Sequence, residues 1–502
     1  MADGSQVTSL PVEEPARISS GSAGLDEILA GGFDANRLYL IEGCPGTGKT
    51  TLALQFLLEG VKQGERTLLI SLSETAQELK VVASRHGWSL AGVDVFELPT
   101  SAGALDPDRE LTVFHPSAVD LSDTTRTLLE KIDELNPARI VFDSLFEMRL
   151  LAQSSLGYRR QILALKHFFN GRACTVMLLD DIPSLSEAVQ VENIVHGAIR
   201  LDQTPVDFGA ERRRLRVLKM RGIEFKGGFH DFTIQRGGLV IYPRLVAAEH
   251  HQPFTGEFAE SGNAGMDALL GGGLERGTNA LLIGAAGVGK SSLALTFATA
   301  SAARGEKAVV FAFDEGHGTI HARAKAIGLP LKQTIDAGSL RIQQIDPAEM
   351  SPGEFAHLVR SSVEVDKVRV VVIDSLNGYL NAMPDDRFLI LQMHELLSYL
   401  NQLGVVCILV LAQHGLVGPM ETPLDISYLS DAVIMLRYFE AQGRVRRALS
   451  VLKKRGGSHE DTIREYQLTS DGIRVGPPLT QFSGIFTGTP TYTGGPQPLL
   501  TT

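Results

Sequence analysis

Gly43-Cys44-Pro45-Gly46-Thr47-Gly48-Lys49-Thr50 decides the fold of the first half of this chain, and Gly284-Ala285-Ala286-Gly287-Val288-Gly289-Lys290-Ser291 that of the second. Both fit G-x-x-x-x-G-K-[ST], the phosphate-gripping P-loop. The two lysines stand 241 residues apart. The glycines let backbone N–H groups turn inward onto phosphate oxygens, and the helix that follows points its positive end at the same anion. Lys49 and Lys290 then reach the β/γ oxygens, and Thr50 and Ser291 offer a hydroxyl to Mg²⁺. The expected ATP contacts are Gly46, Thr47, Gly48, Lys49, Thr50 and Thr51 in one half, and Gly287, Val288, Gly289, Lys290, Ser291 and Ser292 in the other. The ligands implied are ATP and Mg²⁺, one set per half.

Working outward, the halves repeat each other. SSGSAGLDEILAGGF (19–33) matches ESGNAGMDALLGGGL (260–274) at the same offset, pairing Asp26 with Asp267. The register holds to Ser73-Glu74 and Asp314-Glu315, then slips, since Asp143 and Asp374 are 231 apart. Each half alternates short apolar runs (RLYLIE, TLLIS, RIVFD, TVMLL; then ALLIG, AVVFAF, RVVVID, VCILVL) with helical spacing. Such runs between helices mean a mainly parallel sheet covered on both faces. The fold class is α/β, two tandem RecA-like P-loop NTPase domains. Shorter alternating segments (RLRVLKM, FTIQ, LVIY) close the first half as antiparallel edge strands. The expected layout is a flexible arm (1–16), a first domain (17–246), a second domain (247–485) and a flexible tail (486–502), with a linker around 244–258.

The net charge of −11 argues against a dedicated binder of DNA or anionic membrane, which carries a basic surplus. The three cysteines form no C-x-x-C pair, so a zinc site is not expected. Cys174 and Cys407 sit in apolar runs and read as buried thiols. Cys44, inside the first P-loop, either fills a loop position or senses oxidation. No signal segment opens the chain and no apolar run spans a membrane, so a cytoplasmic protein is expected.

Asp143 and Asp374 end strands of apolar residues and are each followed by Ser-Leu. A lone Asp there often caps a helix, but two downstream of P-loops read as Walker B carboxylates holding the metal. Glu74 and Glu315 follow the second strand of each half, where a carboxylate orients a water or hydroxyl and takes its proton. The first half has Ser73-Glu74 and the second Asp314-Glu315, which implies different work at the two sites. Lys219-Met220-Arg221-Gly222 and Lys453-Lys454-Arg455-Gly456 repeat a basic fork. Residues two apart on a strand share a side, so each fork reads as phosphate-touching across a subunit boundary or as a protective basic edge.

Together these residues resemble the KaiC family, the double-domain RecA-like ATPases of the cyanobacterial circadian clock. The resemblance spans about 17–490 and includes SLSET and FAFDEG, FDSL and IDSL, KMRG and KKRG, and DAVIMLRYFE followed by TIREYQLTSDG. It implies a homo-hexamer of two stacked rings with ATP between subunits, contacted by Lys219, Arg221, Lys453 and Arg455. It implies slow ATP hydrolysis in the first ring with Glu74 catalytic. The family's Glu-Glu pair is here Ser73-Glu74 and Asp314-Glu315; Asp314 keeps the charge on a shorter arm. The family's second ring phosphorylates an adjacent Ser-Thr pair. Here Ser427 falls on the first acceptor and Tyr428 on the second, so the resemblance implies a single-site serine/threonine autokinase with Glu315 as base, Lys290 on the phosphates and Ser427 as acceptor. Ser430 stands as a substitute. The chain keeps FSGIFTGTP but little beyond it, which argues against a KaiA-like partner. A KaiB-like partner on the first ring stays open.

Two other classes compete with this reading. A DNA recombinase or helicase needs basic channel loops, yet Phe146–Arg160 carries only Arg149, Arg159 and Arg160, and Leu185–Val195 carries no positive charge. A scaffold whose ATP only cements the ring would assemble with nucleotide and not turn it over.

Overall fold

The computed structural model describes residues 16–97, 121–152, 154–182, 191–206, 208–254, 256–380, 386–413, 427–487 and 490–494. The expected N-terminal arm, apart from Ala16, lies outside them. The chain divides into two compact units, the first closing at Arg244 and the second running on from Leu245, with Phe208–Ala210 grouped with the second.

In the first unit, β1 (Leu38–Gly43) runs into the P-loop and α1 (Lys49–Lys62) leaves it. The sheet adds β2 (Thr67–Ser71), β3 (Val93–Glu97), β4 (Arg139–Asp143), β5 (Thr175–Asp180), β6 (Gly197–Thr204), β7 (Arg212–Met220), β8 (His230–Gln235) and β9 (Gly238–Tyr242). Their order is β9-β8-β7-β6-β1-β5-β4-β2-β3. Strands β1 to β6 run parallel, β1 is the central strand of the nine, and β7 to β9 add antiparallel at one edge. Every residue of β1, β2, β4 and β5 is buried. That is why these strands read as unbroken apolar runs, whereas β7 alternates.

The second unit repeats the plan. Its strands are β10 (Asn279–Gly284), β11 (Lys307–Ala312), β12 (Leu340–Gln344), β13 (Val368–Asp374), β14 (Val406–Ala412), β15 (Ala432–Ala441), β16 (Arg444–Lys454), β17 (Arg464–Thr469) and β18 (Gly472–Pro478), and its P-loop helix is α2 (Lys290–Ala303). The order β18-β17-β16-β15-β10-β14-β13-β11-β12 matches the first unit strand for strand. The expected α/β class with antiparallel edge strands is what the chain adopts.

The repeated GLD/GMD segment has a local role. Asp26 accepts from Ser20 N at 2.8 Å and Ser19 Oγ at 2.6 Å, and Asp267 accepts from Ser261 N at 2.8 Å. Each carboxylate ties down the turn that precedes its helix. Two stretches differ from expectation. Leu245 and Ala247, within the supposed linker, are buried in the second unit's core because they pack under the helix Asp386–Gln402. The supposed tail from 486 begins in contact: Phe486 packs on the cluster around Phe439 and Ile485, and Thr491–Tyr492 pairs antiparallel with Phe482–Ser483. Its Phe and Tyr side chains supply apolar area that a Thr/Gly/Pro reading overlooks. Cys174 and Cys407 are buried, as expected, and burial pushes both thiols up, Cys174 to about 12. Among the described residues, no helix is long and apolar enough to cross a membrane.

His230 opens β8 and is fully buried. Its Nδ1 accepts from Arg244 N at 2.8 Å, so Nε2–H donates to Lys226 O at 2.8 Å. Burial lowers its pKa from 6.5 to about 4. The unfolded chain binds this proton first as the medium is acidified, so the stability tied to neutral His230 is complete above pH 6.5 and is lost as pH falls toward 4. Between those limits the wild type is expected to lose roughly 3 kcal/mol more than His230→Gln, read from urea unfolding of the first unit at stepped pH.

Candidate functional site

Both loops lie at the C-terminal ends of parallel strands, where α/β sheets place their ligands. The N-cap residues Gly48 (φ 103°) and Gly289 (φ 115°) adopt the left-handed conformation that brings each helix start onto the loop. At Gly46 nothing lies within 4 Å of where a Cβ would stand, leaving the cradle open. Thr47 turns inward, its hydroxyl donating to Cys44 O at 2.8 Å. Thr51 and Ser292 are buried behind the loops, as is Val288.

The lysines are buried cations held by loop carbonyls. Lys49 Nζ donates to Gly43 O at 2.8 Å and Cys44 O at 3.1 Å; Lys290 Nζ donates to Gly284 O at 2.9 Å and Ala285 O at 2.7 Å. Burial lowers Lys290 to about 8, against the pull of Asp374. Lys49 has one partner more, Asp181 Oδ1 at 2.8 Å.

The Walker B carboxylates meet the P-loop hydroxyls. Thr50 Oγ1 donates to Asp143 Oδ2 at 2.7 Å, and Ser291 Oγ to Asp374 Oδ1 at 3.0 Å. Burial raises both carboxyls, Asp374 to about 6, and the hydroxyl bonds oppose that rise. Both following peptide bonds, Asp143–Ser144 and Asp374–Ser375, are cis. The paired hydroxyl and carboxylate are hard oxygen donors of the kind Mg²⁺ takes alongside substrate phosphates. Among the described residues no cluster of three or more His, Cys, Asp or Glu forms a metal cage, and such a site does not need one.

The catalytic candidates differ between units. Glu74 is half-buried just before Thr75, whose capping box with Glu78 starts the helix Ala76–Arg85. Its Oε2 is buried without a hydrogen-bond partner. Burial, then the charges of Asp143 and Glu78, raise its pKa. In the second unit Glu315 forms an ion pair with Arg323, through both oxygens, and Asp314 accepts from Ser375 Oγ. Val82 stands in the first unit at the same offset as Arg323.

The basic forks do one thing in both units. Lys219 Nζ donates to Val195 O at 3.1 Å and Arg221 to Asn193 O at 2.9 Å; Lys453 donates to Ser430 O at 2.8 Å and Arg455 to Tyr428 O at 2.9 Å. The strand registers match Gly197 to Ala432, so these are equivalent carbonyls on equivalent turns. Burial lowers Lys219, with Arg221 adding to the effect. The second turn, Ser427–Leu429, opens with the expected acceptor, whose side chain lies outside the description. Tyr428 is exposed, whereas Ser430 is fully buried, so its hydroxyl is not presented as a substitute acceptor. At Ser427's place the first unit has Glu192. Of the residues weighed for the competing DNA-channel reading, Arg149 is engaged by Asp180, Arg159 and Arg160 are exposed, and 183–190 lie outside the described residues.

The profile of the family described as ATPase: KaiC matches residues 18–246 and 259–480, one span per unit. The chain belongs to the KaiC ATPase family. It is 28% identical over 489 residues to Circadian clock protein KaiC3 of Synechocystis sp., covering 95% of each chain. It is 28% identical to the Circadian clock oscillator protein KaiC of Picosynechococcus sp., over 93% of this chain and 91% of that one. Against the KaiC of Synechococcus elongatus the figures are 27%, 95% and 92%. Membership in this ATPase family carries nucleotide binding with it, and both matched spans contain a P-loop.

Four neighbours of the KaiC-type pockets escaped the sequence reading: Asp181, Arg323, Ser375 and Tyr466. Asp181 left a signal in the doublet Asp180-Asp181 ending an apolar strand, and Ser375 in the Ser-Leu repeated after Asp143 and Asp374. Tyr466 is buried and donates its hydroxyl to Val288 O in the second P-loop. Tyr466→Phe orphans that carbonyl. Amide hydrogen exchange around Val288–Lys290 is expected to quicken roughly tenfold, the first P-loop staying as it was.

Proposed function

We propose that this KaiC-family ATPase holds Mg·ATP in two pockets per chain, hydrolyses it slowly in the first, and phosphorylates Ser427 of its own kind from the second. The observation that carries the reading is the duplicated geometry: a buried lysine on two loop carbonyls beside a hydroxyl–carboxylate pair, at 2.7 Å in one unit and 3.0 Å in the other. Lys49 and Lys290, with the loop N–H groups of Gly46 to Thr51 and Gly287 to Ser292, grip the phosphates. Thr50 with Asp143, and Ser291 with Asp374, would hold Mg²⁺, which when bound would offset the charge of the phosphates.

In the first pocket Glu74 has a free buried oxygen and a raised pKa, as suits a base near neutral pH. It takes a proton from the attacking water. The water oxygen bonds to the γ-phosphorus, the bond to the ADP oxygen breaks, and ADP and phosphate leave. In the second pocket the Ser427 hydroxyl replaces water and its proton goes to Glu315, giving phosphoserine and ADP; Asp314 keeps the metal side acidic. Glu192 in place of Ser427 supports confining the acceptor to the second unit.

The chain assembles as a hexamer of two stacked rings with ATP at subunit boundaries. Arg221 and Arg455, both exposed, and Lys219 and Lys453 beside them lie on the strand edges that would face a neighbour's phosphates. The first domain, expected over 17–246, ends at Arg244, and the second, expected over 247–485, runs from Leu245 into the segment around Tyr492. A cytoplasmic, signalling or timing role follows from the family, with the first ring as the surface for a KaiB-like partner.

Three measurements test this. Calorimetry with Mg·ATP is expected to give two sites per chain, and one after Lys49→Ala or Lys290→Ala; undiminished uptake in either sinks the reading. Glu74→Gln is expected to slow ATP turnover about a hundredfold at unchanged nucleotide binding. Phosphosite mapping after incubation with Mg·ATP is expected to find phosphate on Ser427 and none in Ser427→Ala or Glu315→Gln.

A further inference from the structure

The first pocket contains a carboxylate that the proposed chemistry does not use. Asp181 directly follows β5, and its Oδ1 lies 2.8 Å from Lys49 Nζ. The lysine side chain is 10% exposed and that of Asp181 31%, so the pair is shielded from bulk water but reachable from the open side of the loop. In the first sheet Glu42 faces Asp180, which sets Asp181 beside the start of the loop at Gly43. In the second, Gly284 faces Ala412. Ala412 therefore stands where the first unit has Asp181. The two lysines share the same pair of carbonyls, and only Lys49 has an acid on it at this position.

We propose that Asp181 is an internal anion on the first P-loop lysine and lowers the nucleotide affinity of that pocket. The inference rests on the reading that Lys49 and Lys290 grip phosphate. A phosphate oxygen arriving at Lys49 exchanges one ion pair for another. At Lys290 it meets an ammonium hydrogen-bonded to carbonyls, with Asp374 acting on it only at longer range, and has no direct ion pair to displace. Once displaced, Asp181 still stands beside the phosphates, and like charges at that range repel.

The test isolates each pocket and exchanges the two residues. In Lys290→Ala, which leaves the first pocket, adding Asp181→Ala is expected to tighten binding of Mg·AMP-PNP about five- to tenfold by calorimetry, the range of a partly shielded ion pair. In Lys49→Ala, which leaves the second, Ala412→Asp is expected to weaken it by a similar factor. Unchanged or weaker binding in Asp181→Ala overturns the proposal, and weaker binding would make Asp181 a direct ligand instead. Loss of all binding in Lys290→Ala with Asp181 intact would instead overturn the reading of Lys49 as the phosphate grip, so the two failures are told apart.

Discussion

A lysine ammonium buried at the mouth of a parallel sheet is the constraint around which each unit is arranged. Lys49 and Lys290 are 9% and 6% exposed. An isolated charge there would be expensive, so it must be hydrogen-bonded. The carbonyls that bond it belong to the residues where β1 and β10 become loop, and Gly48 and Gly289, at positive φ, start the helix whose first residue is that lysine. The central strand must then be straight, buried and parallel to its neighbours, which dictates apolar residues along its length. The Walker B strand must end level with the loop so that its Asp meets the Thr or Ser hydroxyl. Strand order and loop geometry therefore follow from one requirement, to hold a desolvated cation where an anion will arrive.

Duplication of that frame did not duplicate its acids. Glu74 has a buried oxygen without a partner and a carboxyl raised by burial. Glu315 is instead held by Arg323, on a helix whose counterpart has Val82. Lys49 has Asp181 and Lys290 does not. A single charged side chain, differing between equivalent positions near the two P-loops, distinguishes a pocket whose glutamate has an unpaired buried oxygen from one whose glutamate is ion-paired. The basic forks, in contrast, make the same pair of hydrogen bonds in both units, and in the second they hold the turn that begins with Ser427.

Much of this architecture was legible in the residues. The P-loops, the apolar strands and the Walker B aspartates each depend on neighbours in the chain, and such patterns survive as spacing. The pairing of Thr50 with Asp143 followed from motif order. The edges of the fold were less legible. Leu245 and Ala247 looked like linker because their burial comes from a helix some 140 residues onward. Phe486 and Tyr492 were submerged in a Thr- and Gly-rich composition. The burial of Ser430 had no local sign, being set by the strand that follows and the lysine that grips its carbonyl.

By itself the amino-acid order determined two P-loop domains, their strand sequence and the residues at each loop, because hydrophobic period and glycine placement act over a turn or a strand. Only the tertiary structure decided which acids stand beside which lysines: Asp181 on Lys49, Arg323 on Glu315, Tyr466 beneath the second loop. Those pairings join residues far apart in the chain across a few ångströms, and Coulomb energy depends on distance in space, which no spacing along the polypeptide records.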